Sequence, residues 1–184
     1  HTPNIHLTGL QAQCLEIPII VQNTSGEKED ELYDLRDALS SAKQKWGVTG
    51  VVVGAIASDY QSERVNRVCH EIGLKTFCPL WHKSQEQLLA EMTDAGFEIV
   101  IISIAADGLS KEFLGRRITP TMISHLKKLH QSHGIHIAGE GGEYESFVVD
   151  CPMFHKKLCF VGHVEMENEC TGLFIVDNAC VVDK

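Results

Sequence analysis

The chain has 184 residues, 43% of them hydrophobic, so it is long enough to bury the core of about one domain. Its 25 acidic and 16 basic side chains give a formal net charge of -9, which disfavours nucleic acid as a partner and favours a cationic ligand. The seven cysteines include no Cys-x-x-Cys pair, which argues against a zinc site or a disulfide framework. No membrane span or signal peptide is evident, and the sequence predicts a soluble, cytoplasmic protein.

The predicted elements alternate from the start of the chain. A helix that begins at Thr2 and Pro3 and carries an apolar stripe up to Cys14 precedes a short buried strand at residues 17–21, "IPIIV". A second helix, ending at Gly47, leads to the apolar strand "GVVVGAI" at residues 50–56. A helix, the strand "LKTFC", a helix capped by Ser84 and the strand "FEIVIISIA" at residues 97–105 follow. This order predicts an α/β fold with a doubly wound, mostly parallel, Rossmann-like sheet.

The pattern changes after the helix that begins at Thr119 and Pro120 and ends at Gly134. Past Tyr144, strands follow one another with turns and no helices between them. The end of the chain is therefore predicted to be antiparallel, with a boundary at residues 138 and 139.

The loop after the second predicted strand carries groups suited to a nucleotide. Gly54 allows a close approach of the backbone, and hydrogen-bonding side chains follow at the start of the next helix. These are Ser58, Asp59, Tyr60, Gln61 and Arg64. From these residues alone, an ordinary strand-to-helix turn capped by Ser58 or Asp59 is the favoured interpretation.

Three other groups of residues have two interpretations each. Arg116 and Arg117 could bind phosphate or carboxylate, or be solvated. Trp81 could line a pocket, or belong to the core. Three histidines at every third residue suggest a metal site, but no partner follows at ligand spacing, and no metal site is predicted; they are His130, His133 and His136.

The sequence "GEGGEYE" at residues 139–145, which we call the glycine–glutamate segment, concentrates negative charge. Glu140, Glu143 and Glu145 would repel one another unless a cation, a metal ion or backbone N–H donors compensated them. The other interpretation is a solvated acidic turn, in which Gly139, Gly141 and Gly142 provide positive φ angles.

Several blocks together resemble one family. "TSGEKEDE", "GAIASDYQSERVNRVC", "PLWH", "FLGRR" and "GEGGEYESFVVDCPMF" occur here in the same order as in the diphthine–ammonia ligases. The resemblance extends to about Phe154 and weakens in the last thirty residues. It implies a PP-loop ATPase fold of the adenine nucleotide α-hydrolase-like (HUP) type. Residues 1–138 would then form the nucleotide-binding α/β domain, with residues 139–184 as the acidic substrate loop and β-rich end.

The resemblance also implies a reaction. ATP would adenylate the carboxylate of diphthine, a modified histidine on translation elongation factor 2, and ammonia would displace AMP to give diphthamide. Magnesium would bind transiently with the departing pyrophosphate. The partners would be the elongation factor and ammonium, with no nucleic acid or membrane, and the sequence leaves a homo-oligomer open.

Roles follow from the matching blocks. The adenine and ribose would lie against Gly54, Ala55 and Ile56, and the nucleotide would also contact Ser58, Tyr60, Gln61, Arg64 and Arg116. Catalytic roles would fall to Asp59, Glu140, Glu143 and Glu145. Diphthine, with its quaternary ammonium group, would contact Trp81, Gly139, Gly142 and Tyr144, where an aromatic ring could add a cation–π interaction.

One family feature is missing. Members begin with a strand and a Ser-Gly-Gly-Lys-Asp-Ser type loop around the pyrophosphate, and "TSGEK" is not its equivalent. Either the loop lies upstream of His1, which the absent initiator Met favours, or the chain is catalytically incomplete. Two alternatives stay open: a non-catalytic nucleotide- or protein-binding module, and a PP-loop enzyme that modifies tRNA, which the acidic balance disfavours.

Overall fold

The computed structural model describes residues 4–25, 30–56 and 59–184. The helices are α1 (Thr8–Leu15), α2 (Asp30–Trp46), α3 (Asp59–Glu71), α4 (Gln85–Asp94) and α5 (Pro120–His133), and a 3-10 turn at Ile5–Leu7 precedes α1. The strands are β1 (Gly50–Val52), β2 (Lys75–Phe77), β3 (Glu98–Ala105), β4 (Tyr144–Asp150), β5 (Lys156–Met166) and β6 (Thr171–Asp183). The predicted mixture of helices and strands is confirmed.

The chain divides into two compact units. The first unit comprises His1–Pro18 and Ser84–Lys184, and the second comprises Ile19–Lys83. The predicted boundary between residues 138 and 139 falls inside the first unit, because β4 pairs with β3 across it. In the described part of the chain, no helix has both the length and the apolar character of a membrane span.

The second unit contains a small parallel sheet. β1 and β2 pair in parallel, with Val51 opposite Thr76, and α3 forms the crossover between them. The inward side of α3 carries Val68 and Cys69, which are 2% and 0% exposed. This strand–helix–strand arrangement is the part of the predicted parallel sheet that is confirmed.

The predicted strand at residues 17–21 is wrong. These residues have no strand structure, and Ile17, Ile19 and Val21 are exposed. A strand needs a neighbouring strand to complete its backbone hydrogen bonds, and an apolar run by itself does not supply one.

The first unit contains a four-stranded sheet, in the order β4-β3-β6-β5 among the described residues. Every pair in it is antiparallel, which confirms the predicted antiparallel ending. The prediction that β3 continues the parallel sheet is wrong, because β3 pairs with β4 on one side and β6 on the other. Its unbroken apolar sequence resembles a parallel strand since both of its faces are buried.

Alternate residues of β3 supply two cores. Ile99 and Ile101 pack with Leu126 of α5 on one face of the sheet. Val100 and Ile102 face the opposite way and pack on a cluster that includes Cys14 of α1. β3 thus separates the two cores of the first unit.

The ends of α4 and α5 carry the predicted signals. Ser84 accepts a hydrogen bond from the Gln87 N–H at 3.4 Å, and Thr119 accepts one from the Met122 N–H at 3.2 Å. Gly134 ends α5 with a φ of 74°. The chain then runs through the glycine–glutamate segment into β4, which fixes the segment at one end of the antiparallel sheet.

Candidate functional site

The side chain of Glu143 points into its own loop. Its Oε1 accepts hydrogen bonds from the His136 backbone N–H at 2.8 Å and from the His136 Nδ1 at 2.7 Å. Its Oε2 accepts one from the Gly141 N–H at 2.9 Å. The side chain is only 13% exposed, so the donors that compensate this carboxylate belong to the protein itself.

These contacts determine the ionisation of Glu143. Burial acts to raise the pKa of its carboxyl, but the backbone N–H groups of His136 and of Glu143 itself, together with the His136 side chain, outweigh burial. The net result is a pKa below the ordinary value of 4.5. Glu143 is therefore an ionised carboxylate at neutral pH.

Two glycines make this geometry possible. A Cβ on Gly141 would lie 2.6 Å from Oε1 of Glu143 and 2.7 Å from Nδ1 of His136. Gly139 has a φ of +75°, and a Cβ there would lie 2.6 Å from the carbonyl oxygen of Tyr144. The repeated glycines therefore let the backbone close around the Glu143 carboxylate.

Tyr144 anchors the end of the segment. It is 4% exposed and packs in the core between the sheet and α5. Its hydroxyl donates a hydrogen bond to the Ile137 carbonyl at 2.7 Å. Burial, and then the negative charges of Glu143 and Glu140, raise the pKa of this phenol. Tyr144 is thus a buried support, and its ring is not exposed to a ligand.

The other two glutamates have different surroundings. Glu140 is exposed. Glu145 is half-buried within β4, opposite Ser103 of β3, and alternation places it on the other face of the sheet from Tyr144. Gly142, with a φ of +84°, has open space where a Cβ would lie, so only its backbone angle calls for glycine. The segment holds its three carboxylates in three separate environments.

The second unit carries the predicted adenine site. Ala55 and Ile56 are buried, and the Ile56 carbonyl accepts a hydrogen bond from the His82 N–H at 2.8 Å. This bond joins the loop after β1 to the turn after β2. In that turn the Trp81 and His82 rings meet edge to face, with 4.8 Å between the ring centroids. Around Gly54 there is open space on the side where a Cβ would lie.

The predicted "SDYQ" side chains lie outside the described residues. Ser58 precedes α3 and is not described, and only the backbone is described for the three residues that open this helix, Asp59, Tyr60 and Gln61. Arg64, one turn further on, is described: its guanidinium donates to Oε1 of Glu31 in α2 at 2.8 Å. Arg64 therefore connects α2 to α3.

Arg116 belongs to the first unit, not to the unit that carries Gly54. It is exposed and lines a groove of about 650 Å³ beside the start of α5, together with Phe113, Met122 and His125. Its neighbour Arg117 forms an ion pair with Glu98 at 2.9 Å. The groove is lined by charged and apolar side chains together.

The three spaced histidines make separate contacts. His130 Nδ1 lies 2.7 Å from the Ile135 carbonyl, and His133 Nδ1 lies 2.7 Å from the Ser132 hydroxyl. His136 contacts Glu143, seven residues further along the chain, a pairing that the three-residue spacing of the histidines does not indicate. Among the described residues, no group of three or more His, Cys, Asp or Glu side chains could hold a metal ion.

Fold and site define a mixed α/β protein with an acidic, glycine-rich segment between its α5 helix and its antiparallel strands. Residues 1–76 match the diphthamide synthase N-terminal domain, and residues 84–182 match the diphthamide synthase C-terminal domain. The chain belongs to the diphthamide synthase family.

Individual relatives agree with this assignment. The diphthine–ammonia ligase of Homo sapiens is 38% identical over 165 residues, which cover 83% of this chain and 61% of the relative. That of Danio rerio is 43% identical over 136 residues, 73% of this chain and 52% of the relative. That of Schizosaccharomyces pombe is 33% identical over 188 residues, 95% of this chain and 31% of the relative. The chain thus spans about three fifths or less of each relative.

Proposed function

We propose that the protein amidates diphthine on translation elongation factor 2, with ATP as the activating reagent. The observation that carries the proposal is the match of both parts of the chain to diphthamide synthase domains, with relatives named diphthine–ammonia ligase. A carboxylate is a poor acylating agent until its oxygen becomes part of a good leaving group. Adenylation with release of pyrophosphate provides that group, and ammonia then displaces AMP.

The nucleotide is proposed to bind the second unit, in a PP-loop type fold. The parallel β1–α3–β2 arrangement supports this, because nucleotides bind beyond the carboxyl ends of parallel strands and at helix N-termini. The proposed contacts in this unit are Gly54, Ala55, Ile56, Ser58, Tyr60, Gln61 and Arg64, with Asp59 as a catalytic residue. Mg²⁺ is proposed to accompany the ATP phosphates, as this ion commonly does.

Diphthine and ammonium are proposed to meet the first unit at the glycine–glutamate segment. Glu140 is the carboxylate best placed for direct attraction of a cation, since it is exposed. Glu143 and Tyr144 support the segment from within, and Glu145 remains a proposed catalytic residue.

The test uses the full-length protein with ATP, ammonium and diphthine-bearing elongation factor. We expect AMP to form, and mass spectrometry of the factor to show replacement of a carboxylate oxygen by –NH2. Absence of both products would favour a non-catalytic binding module. AMP formation with transfer RNA in place of the factor would favour the tRNA-modifying alternative.

A matched pair of variants tests the acidic site. Glu140→Gln should raise the KM for ammonium or the elongation factor without lowering the melting temperature, because the side chain is exposed. Glu169→Gln, the same change at another exposed glutamate, in the β5–β6 turn, is the control and should leave turnover unchanged. Equal kinetics for the two variants would remove Glu140 from the site.

A further inference from the structure

His136 has the features of a held and oriented imidazole. Its Nδ1 lies 2.7 Å from Oε1 of Glu143, and its own backbone N–H donates to the same oxygen at 2.8 Å. Two contacts from one residue to one carboxylate oxygen restrict both the ring and the backbone. Its side chain is nevertheless 52% exposed, so the free edge of the ring can be reached.

The contact with Glu143 selects the tautomer of His136. An ionised carboxylate only accepts hydrogen bonds, so Nδ1 must carry the proton that it donates. The neutral imidazole then has its lone pair on Nε2. Among the described residues, Nε2 makes no hydrogen bond, which leaves this nitrogen available as a proton acceptor.

His136 also lines a polar cavity of about 360 Å³ within the first unit. The other titratable residues that line this cavity are Glu86, Lys127 and His130. Lys127 and Glu86 are paired at 2.6 Å, so their charges largely offset each other next to the imidazole. The cavity is large enough to admit a small polar group to the ring.

We propose that His136 is the general base of the amidation and that Glu143 is its positioning residue; this proposal rests on the proposed function. Ammonium first releases one proton to solvent. The resulting ammonia attacks the acyl carbon of the adenylated carboxylate, and a C–N bond forms. The C–O bond to the adenylate breaks, and its electron pair leaves with AMP. The attacking nitrogen gives one proton to Nε2 of His136, so the products are the amide, AMP and a protonated imidazole.

A base at this point accelerates the step because the attacking nitrogen becomes positively charged as the new bond forms. Removal of its proton prevents the nitrogen from leaving again. General bases of this kind contribute roughly 10² to 10⁴ in rate. Glu143 orients the neutral ring through its hydrogen bond to Nδ1, and its negative charge stabilises the imidazolium that results.

The kinetic test uses His136→Asn in the full-length protein. The Asn side chain can keep a donor close to the Nδ1 position for Glu143, but it has no counterpart of Nε2. We expect amide formation to fall by about 10²-fold or more, while substrate-dependent ATP–pyrophosphate exchange, which reports adenylation, stays within about threefold of wild type. At a constant concentration of ammonia, the rate of amide formation by the wild-type protein should rise with pH. This pH dependence should disappear in His136→Asn.

The matched control is His133→Asn, an exposed histidine at the end of α5. It should leave amide formation and exchange unchanged. An equal loss of both reactions in a folded His136→Asn protein, or an unchanged amide rate and pH profile, would overturn the assignment of the base. No amide and no exchange with the wild-type protein would instead contradict the proposed function.

A second measurement does not depend on activity. Nitrogen-15 NMR of the imidazole should show the Nδ1–H tautomer for neutral His136 in the wild-type protein. In Glu143→Gln, the Nδ1–H preference should weaken, because the amide that replaces the carboxylate can donate a hydrogen bond as well as accept one. An Nε2–H tautomer in the wild type would overturn the proposal.

Discussion

At the residue scale, Glu143 shows how a protein can keep a negative charge in a crowded acidic segment. Clustered carboxylates repel one another, but this one receives N–H donors from His136 and Gly141. The glycine at position 141 has no side chain to obstruct that contact. The carboxylate therefore stabilises the loop, in addition to any part in the reaction.

This arrangement predicts an acid-dependent loss of stability. The pKa of Glu143 lies below its ordinary value of 4.5 in the folded protein, so its contribution is fully present above that value and is lost as pH falls through the folded pKa. Urea unfolding should show Glu143→Gln less stable than wild type at neutral pH, with the difference shrinking as the pH falls below 4.5. The exposed Glu140→Gln is the control. A difference independent of pH would contradict the prediction.

At the element scale, the pairing of Arg64 with Glu31 connects two helices of the second unit. The side chains are 14% and 41% exposed, so the contact is partly protected from solvent. The family resemblance predicts that Arg64 contacts the nucleotide, whereas this ion pair indicates a structural role for Arg64. The two roles predict different behaviour when Glu31 is removed.

A double-mutant cycle separates the two roles of Arg64. Arg64→Ala, Glu31→Ala and the double variant should give a coupling free energy of roughly 0.5 to 1 kcal/mol in unfolding experiments. The pair Lys156 and Asp183, 3.5 Å apart and 51% and 91% exposed, is the control and should show coupling near zero. If Arg64 also contacts ATP, only Arg64→Ala lowers nucleotide affinity; an equal loss with Glu31→Ala would indicate an indirect effect.

At the scale of the whole molecule, stability in the first unit depends on β3, whose two faces serve two cores. Ile101 and Ile102 are adjacent in sequence, 0% and 3% exposed, and belong to different clusters. In a strand buried on both faces, loss of a large buried side chain from either face lowers the free energy of unfolding. Loss of a side chain from either core should therefore destabilise the whole first unit.

Ile101→Ala and Ile102→Ala should each lower the free energy of unfolding by about 2 to 5 kcal/mol, because each leaves a cavity in a closed core. Ile5→Ala is the same substitution at a side chain that is 55% exposed, and it should change stability by less than about 1 kcal/mol. Denaturant titration measures all three. A small effect at one of the two β3 positions would show that its core can collapse around the change.

Much of the secondary structure could be predicted because its signals are local. Thr119, Pro120 and Gly134 mark the ends of α5 within one turn of chain, and the strands after Tyr144 were expected to be antiparallel. The strand predicted at residues 17–21 failed because apolar composition does not reveal whether a neighbouring strand exists. Composition alone marks the glycine–glutamate segment as unusual. No local signal in the sequence marks His136 as the partner of Glu143.

The sequence by itself determined the family, the positions of most helices and strands, and the concentration of acidic residues at positions 139–145. Only the tertiary structure decided that β3 lies between antiparallel neighbours and that Glu143 turns inward to His136 while Glu140 stays exposed. The reason is physical: caps and periodicity act over a few residues, but strand partners and side-chain directions depend on groups that meet after the chain has folded.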